Sequence, residues 1–189
     1  MAHAAAVSPG RAGCVAGTDL AVVAGQLGRR PHAMSRVAAR CPSGFPAVVE
    51  DLPYDTRGRP FPTLYYCTCP TLVAAVGRLE SDGGVAAWTR RLRADQTLAR
   101  SALAAAAFSA ARRAELGGAI APAPADAGAS LALGVGGVRD PGTVKCLHAH
   151  VAHALAVPGY ALGEAILAEV ASPWCDDRRC AVWTPEGGA

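Results

Sequence analysis

The sequence predicts an α+β fold, a short three-stranded antiparallel meander packed against a mainly helical C-terminal part. Three observations predict it. Turn-forming residues crowd the stretch 42–63 and separate short β-branched or aromatic runs. After Thr71 the apolar residues recur with helical spacing. Alanine-rich stretches then alternate with glycine stops, as expected of successive helices. At 189 residues the chain has the length of one domain, and 51% hydrophobic residues suffice for a sizeable core. Only 5% of residues are aromatic, so the large side chains must be concentrated in that core or at a site.

Taken in order, residues 1–17 read as a flexible tail. Thr18 or Asp19 can cap a helix over 20–27, which Gly28 ends. A first strand is expected over 35–40. A second follows over 47–50, after the turn residues Pro42, Ser43, Gly44 and Pro46. Asp55, Gly58 and Pro60 mark the next turn. The strongest strand signal is 63–68, with Leu64, Tyr65 and Tyr66, and Pro62 suits its start.

Leu72, Val73, Val76 and Leu79 line one face of a helix from Thr71, and Gly83-Gly84 breaks it. Further helices are expected over 85–93 and 97–116. Residues 117–142 form a low-complexity insert of alanine, glycine and proline, which reads as mobile. Helix returns over 143–156, stops at Pro158-Gly159 and resumes over 162–170. The single domain therefore runs from 18 to 170, with a C-terminal tail over 171–189.

The formal charge of +3 permits a nucleic-acid partner without implying one. No run approaches eighteen uninterrupted apolar residues, so no membrane span is expected. The N-terminus lacks the ordered basic, apolar and small-residue regions of a signal peptide, which points to the cytoplasm. In a reducing compartment the seven cysteines read as core thiols, ligands or nucleophiles, and an odd number argues against a complete disulfide framework. There is no G-x-S-x-G elbow, phosphate-binding loop, dinucleotide fingerprint or H-E-x-x-H pair.

Chemistry concentrates in a few places. Cys146, His148, His150 and His153 fall within eight positions of a chain that has five histidines. On a helix turning about 100° per residue, Cys146, His150 and His153 share a wedge of roughly 60°, while His148 points elsewhere. Thiolate and neutral imidazole are the preferred donors for zinc. The plain alternative is a set of partly buried helix residues bonded to backbone. Cys41-Pro42 ends one strand, and Cys67-Thr68-Cys69-Pro70 ends another. Such thiols either converge on a site or pack as small hydrophobes. Cys175-x₄-Cys180 reads as an incidental tail feature before it reads as a ligand pair. Arg90, Arg91 and Arg93 open a basic helical region that is a solvated face or a docking face for nucleic acid or an acidic protein.

Several strings carry a resemblance. They are Gln26-Leu27-Gly28-Arg29, Arg40-Cys41-Pro42 with Gly44, Pro46-Ala47-Val48-Val49, Pro60-Phe61-Pro62-Thr63-Leu64-Tyr65-Tyr66, Thr68-Cys69-Pro70 and Arg78-Leu79-Glu80. Val144-Lys145-Cys146-Leu147-His148 and Ala152-His153-Ala154-Leu155-Ala156 complete the set. Over about 19–170 the chain resembles an uncharacterised bacterial family typical of actinobacteria, domain of unknown function 501. The resemblance assigns no activity. It directs attention to Cys41, Cys69, Cys146, His148 and His153, which fall inside its strings. It also implies an apolar residue where His150 stands, a cysteine where Ser43 stands and a different turn after Ala156.

The leading expectation is a small metal-binding domain, with zinc, or iron in its place, held by Cys41, Cys69, Cys146 and either His153 or His148 in a structural role. Two other classes are carried beside it. One is a thiol enzyme or redox protein in which a histidine activates Cys146 or Cys69. The other is an interaction module working through Arg90, Arg91 and Arg93.

Overall fold

The computed structural model describes residues 16–55, 57–61, 63–117 and 125–184. The proposed N-terminal tail, with Cys14, lies almost wholly outside the described residues, as does Pro62. Helix α1 (Gly17–Leu27) leads into three strands, β1 (Met34–Arg40), β2 (Pro46–Asp51) and β3 (Tyr65–Cys67). They form an antiparallel sheet in the order β1-β2-β3, the expected meander. Six helices then make the chain α+β. They are α1 together with α2 (Pro70–Ser81), α3 (Gly84–Ala94), α4 (Gln96–Gly117), α5 (Leu147–Ala156) and α6 (Ala161–Glu169).

Strand β3 is shorter than the aromatic run suggested. At its end the ladder stops because the Thr68 and Cys69 N–H groups both turn to the Ala47 carbonyl, at 2.9 and 3.4 Å, as the chain enters α2; ahead of it, Pro60 makes an isolated bridge to Tyr54. Alternation sets the two faces of the sheet. Glu50 pairs with Tyr65 and Val48 with Cys67, and these face the helical layer. Val49 pairs with Tyr66, and together with Asp51 they face the opposite side. The core sits between the sheet and α2, α3, α5 and α6, around Trp88, Leu72, Leu92, Leu147, Leu162 and Ile166, all at most 1% exposed.

A buried ion network joins sheet to helix. The Glu50 carboxylate is fully buried and accepts bonds from Arg36 Nε at 2.7 Å on β1, from Arg112 Nε and Nη2 at 2.9 Å on α4 and from Tyr65 Oη at 3.2 Å. The guanidiniums outweigh the burial that would raise it and hold its carboxyl down at about 2.

The segment expected to be mobile is anchored over its described part, 125–142. Asp126 accepts the Tyr54 hydroxyl at 2.9 Å and the Ser130 N–H at 2.8 Å, Val135 joins the core, and Arg113 donates to the Leu133 carbonyl at 2.5 Å. Composition concealed this because a few residues, Asp126 and Val135 among them, do the anchoring. The C-terminal tail is likewise partly docked. Its turn at Arg179–Trp183 buries Cys180 and lays the Trp183 ring over Gly25 of α1, where any Cβ would collide with it.

Among the described residues, no single helix is long and apolar enough to cross a membrane.

Candidate functional site

Helix α5 begins at Leu147, four residues later than expected, because Cys146 is extended, with φ −155° and ψ 125°. Cys146 therefore does not share the helical wedge with His150 and His153. Its thiol turns instead towards the first helical turn, and Sγ lies 3.7 Å from His148 Nδ1. The α5 N-terminus has no side-chain cap of its own. Glu80, near the end of α2, supplies a partner from afar, its Oε1 accepting the Leu147 N–H at 2.6 Å. The same Oε1 lies 3.2 Å from His148 Nδ1.

His148 is oriented from its other edge. Its Nε2–H donates to the Val73 carbonyl on α2 at 3.0 Å, which leaves Nδ1 towards Cys146 and Glu80. Burial alone would lower this imidazole, but the Cys146 thiol, the Val73 carbonyl and the Glu80 charge outweigh it and raise it to about 9. Glu80 is in turn held below its ordinary range: burial works against this, but the His148 charge and the Leu147 N–H prevail.

Glu80, Cys146 and His148 thus offer one carboxylate, one thiol and one imidazole, with all donor atoms within 4.8 Å of one another. Two zinc ligands at ordinary bond lengths and a tetrahedral angle stand about 3.5 Å apart. The observed 3.7 and 3.2 Å bracket that spacing. Cys146 and His148 also line a cleft of about 380 Å³, shared with Tyr66, Cys67, Val73 and Lys145.

The other expected ligands lie in other surroundings. Cys69 is buried ahead of α2, where burial pushes its thiol up to about 11, with Cys41 and Cys180 near enough to add to the shift. Gln26 Nε2 donates to Cys180 Sγ at 3.3 Å in the same region. His153 is packed edge-on among Tyr160, Tyr65 and Phe108, with ring centroids 4.9, 5.5 and 5.7 Å away. Burial first, then the charges of His150 and Arg113, lower it to about 4, so it sits neutral in the core. His150 is lowered to about 4 by burial and lies 2.6 Å from the Tyr160 hydroxyl. Cys67, between the two regions, donates its thiol to the His148 carbonyl at 3.5 Å, and burial pushes its pKa up. The structure therefore places two of the five expected ligands, Cys146 and His148, within ligand distance of a shared ion. It adds Glu80, whose sequence signal was its place in the Arg78-Leu79-Glu80 string.

Of the three arginines proposed for a partner, Arg91 stacks on Trp88 at 3.7 Å and pairs with Glu169, and Arg93 Nε donates to the Gly142 carbonyl at 3.2 Å. Arg90 is exposed.

The model of the family described as "Protein of unknown function (DUF501)" matches residues 37–168. This chain belongs to the DUF501 family. No curated protein and no solved structure matches it. The match takes in the whole Glu80–Cys146–His148 group of this DUF501 domain, and both Cys41 and Cys69.

Proposed function

We propose that this DUF501 domain binds a divalent metal ion of the zinc class through Glu80, Cys146 Sγ and His148 Nδ1. The observation that carries the reading is the convergence of three chemically different zinc donors, from α2 and from the start of α5, within 4.8 Å. The His148 ring supports it, because Val73 fixes the ring with Nδ1 towards the other two donors, the arrangement by which outer partners orient a ligand histidine. A bound ion would displace the proton from Nδ1, and the Glu80 carboxylate would balance its charge.

Three protein donors leave a tetrahedral ion one position for water or a ligand, the pattern of catalytic rather than closed structural sites. The cleft beside Cys146 and His148 gives such a ligand room. When bound, the ion would supply Lewis-acid polarisation or an acidified water. The chain's own contribution is Val73 orienting His148, Glu80 joining α2 to α5, and Lys145 placing a positive charge at the cleft.

The test is metal content and affinity, on protein purified in reducing buffer without added metal. About one zinc or iron per chain is expected, with affinity falling at least tenfold in Cys146→Ser and in His148→Gln. Cys41→Ser is expected to keep the metal. Retention by Cys146→Ser together with loss by Cys41→Ser overturns the assignment.

The contact of Cys146 Sγ with His148 Nδ1 favours a second reading, a thiol nucleophile paired with an imidazole. It predicts that iodoacetamide labels Cys146 of metal-free protein far faster than Cys175, the other half-buried free cysteine among the described residues. Equal rates remove it. Docking of an acidic partner on α3 has less support, since Arg91 and Arg93 are engaged within the chain.

A further inference from the structure

A second cleft, of about 310 Å³, lies on the sheet face turned away from α4 and α5. Asp51, Arg29, Phe61 and Tyr66 all line it. Strand alternation and register place Val49, Asp51 and Tyr66 on this face, opposite the Glu50 network.

Asp51 is the unusual member. It is only 5% exposed, yet among the described residues its carboxyl accepts no hydrogen bond and joins no ion pair. Its neighbour Glu50, also buried, is bonded to two arginines and a tyrosine. Its oxygens are not sealed from solvent, so a carboxyl without a protein donor, facing a cleft of ligand size, leaves its acceptors open to a ligand. Phe61 and Tyr66 pack against each other at 6.5 Å and make an aromatic wall. Arg59 is occupied by Asp55 at 2.7 Å, whereas Arg29 is exposed and near enough to Asp51 to act on its charge.

We propose that this cleft is a ligand site for a purine nucleotide of guanine type. A carboxyl with both oxygens free matches a pair of parallel N–H donors on a flat base. The aromatic wall matches the face of that base. The positive charge of Arg29 disfavours a cationic base and favours a neutral one that carries a phosphate. The site is independent of the Glu80–Cys146–His148 group, although Tyr66 borders both clefts.

Calorimetric titration of the full chain at about pH 8.5, where the Asp51 carboxyl is ionised and accepts through both oxygens, with guanosine 5′-monophosphate, adenosine 5′-monophosphate and inorganic phosphate tests it. The guanine nucleotide is expected to bind saturably at one per chain. The adenine nucleotide, whose edge offers an acceptor where guanine offers a donor, is expected to bind at least tenfold more weakly, and phosphate alone not measurably. Asp51→Asn is expected to weaken the guanine nucleotide at least tenfold. Arg29→Gln, at an exposed position, is expected to weaken the nucleotide but not guanosine, and serves even if the Asp51 variant misfolds. No saturable binding, equal binding of both nucleotides, or full affinity in either variant overturns the proposal.

Discussion

The carboxylate of Glu80 accepts the backbone N–H of Leu147 at 2.6 Å, joining the end of α2 to the first residue of α5 across 67 positions of sequence. One side chain thereby caps the helix that carries His148 and stands as a donor beside it. The two roles separate by substitution. Glu80→Gln keeps a carbonyl oxygen for the Leu147 N–H but loses the charge and the metal donor. Glu80→Ala loses both. Urea denaturation of metal-free protein is expected to show about 1 kcal/mol of destabilisation for the alanine variant and markedly less for the glutamine variant. Zinc affinity is expected to fall in both. Equal destabilisation by the two variants contradicts the capping role.

The Glu50 network predicts a second stability effect. Arg112→Met leaves a fully buried carboxylate with Arg36 as its one cationic partner, a loss of about 2 kcal/mol in denaturant unfolding. The sign of its pH dependence follows from the lowered pKa. Glu50 in the folded chain is held at about 2, below its ordinary 4.5, so its stabilisation is present above 4.5 and is lost as pH falls towards 2. In Arg112→Met that loss is expected to begin at higher pH. An acid-unfolding midpoint unchanged from the parent contradicts this.

Asp51 predicts the opposite slope. Burial dominates and raises its carboxyl to about 7, with Arg29 opposing and the Glu50 charge adding. His32, Asp55 and Arg59 border the same cleft. Because the folded state holds this proton more tightly, its contribution is fullest below the ordinary 3.8 and is lost as pH rises through about 7. Asp51→Asn removes the charge. It is expected to raise stability by roughly 2–4 kcal/mol at pH 8 and to change little at pH 4. Paired urea curves at the two pH values check it, and an equal shift at both contradicts it.

Helices α5 and α6 come close together at Gly163. A Cβ there would collide with the His150 carbonyl oxygen and lie 2.7 Å from the Tyr160 ring and 2.8 Å from the Ala154 methyl group. Gly163→Ala is expected to cost about 1–3 kcal/mol by overpacking, read as a lowered thermal midpoint. A midpoint at or above the parent value contradicts that close approach.

The fold was largely legible because its signals are local. The turn cluster around Pro42 and Gly44, the aromatic run at Leu64 to Tyr66 and the glycine stops each act within a few residues. The candidate site was legible only in part. Cys146 and His148 stand two apart, so composition pointed to them, but the helical wedge assigned Cys146 to the wrong neighbours because the helix starts after it. The carboxylate that satisfies that start comes from Glu80, far away in sequence and with no local mark on Leu147. His153 has a zinc ligand's chemistry, but Tyr65, Phe108 and Tyr160 converge from three separate elements to bury it in a ring cluster. Cys41 and Cys69 look like ligands beside strand ends, and only the tertiary fold shows them grouped with Cys180.

The most direct measurement is X-ray absorption at the zinc edge of protein loaded with one equivalent of zinc. A single sulfur in the first coordination shell, with the remaining donors nitrogen and oxygen, is the result expected for Glu80, Cys146 and His148. Two or more sulfurs, as Cys41, Cys69 and Cys146 together would give, or none at all, would contradict the account.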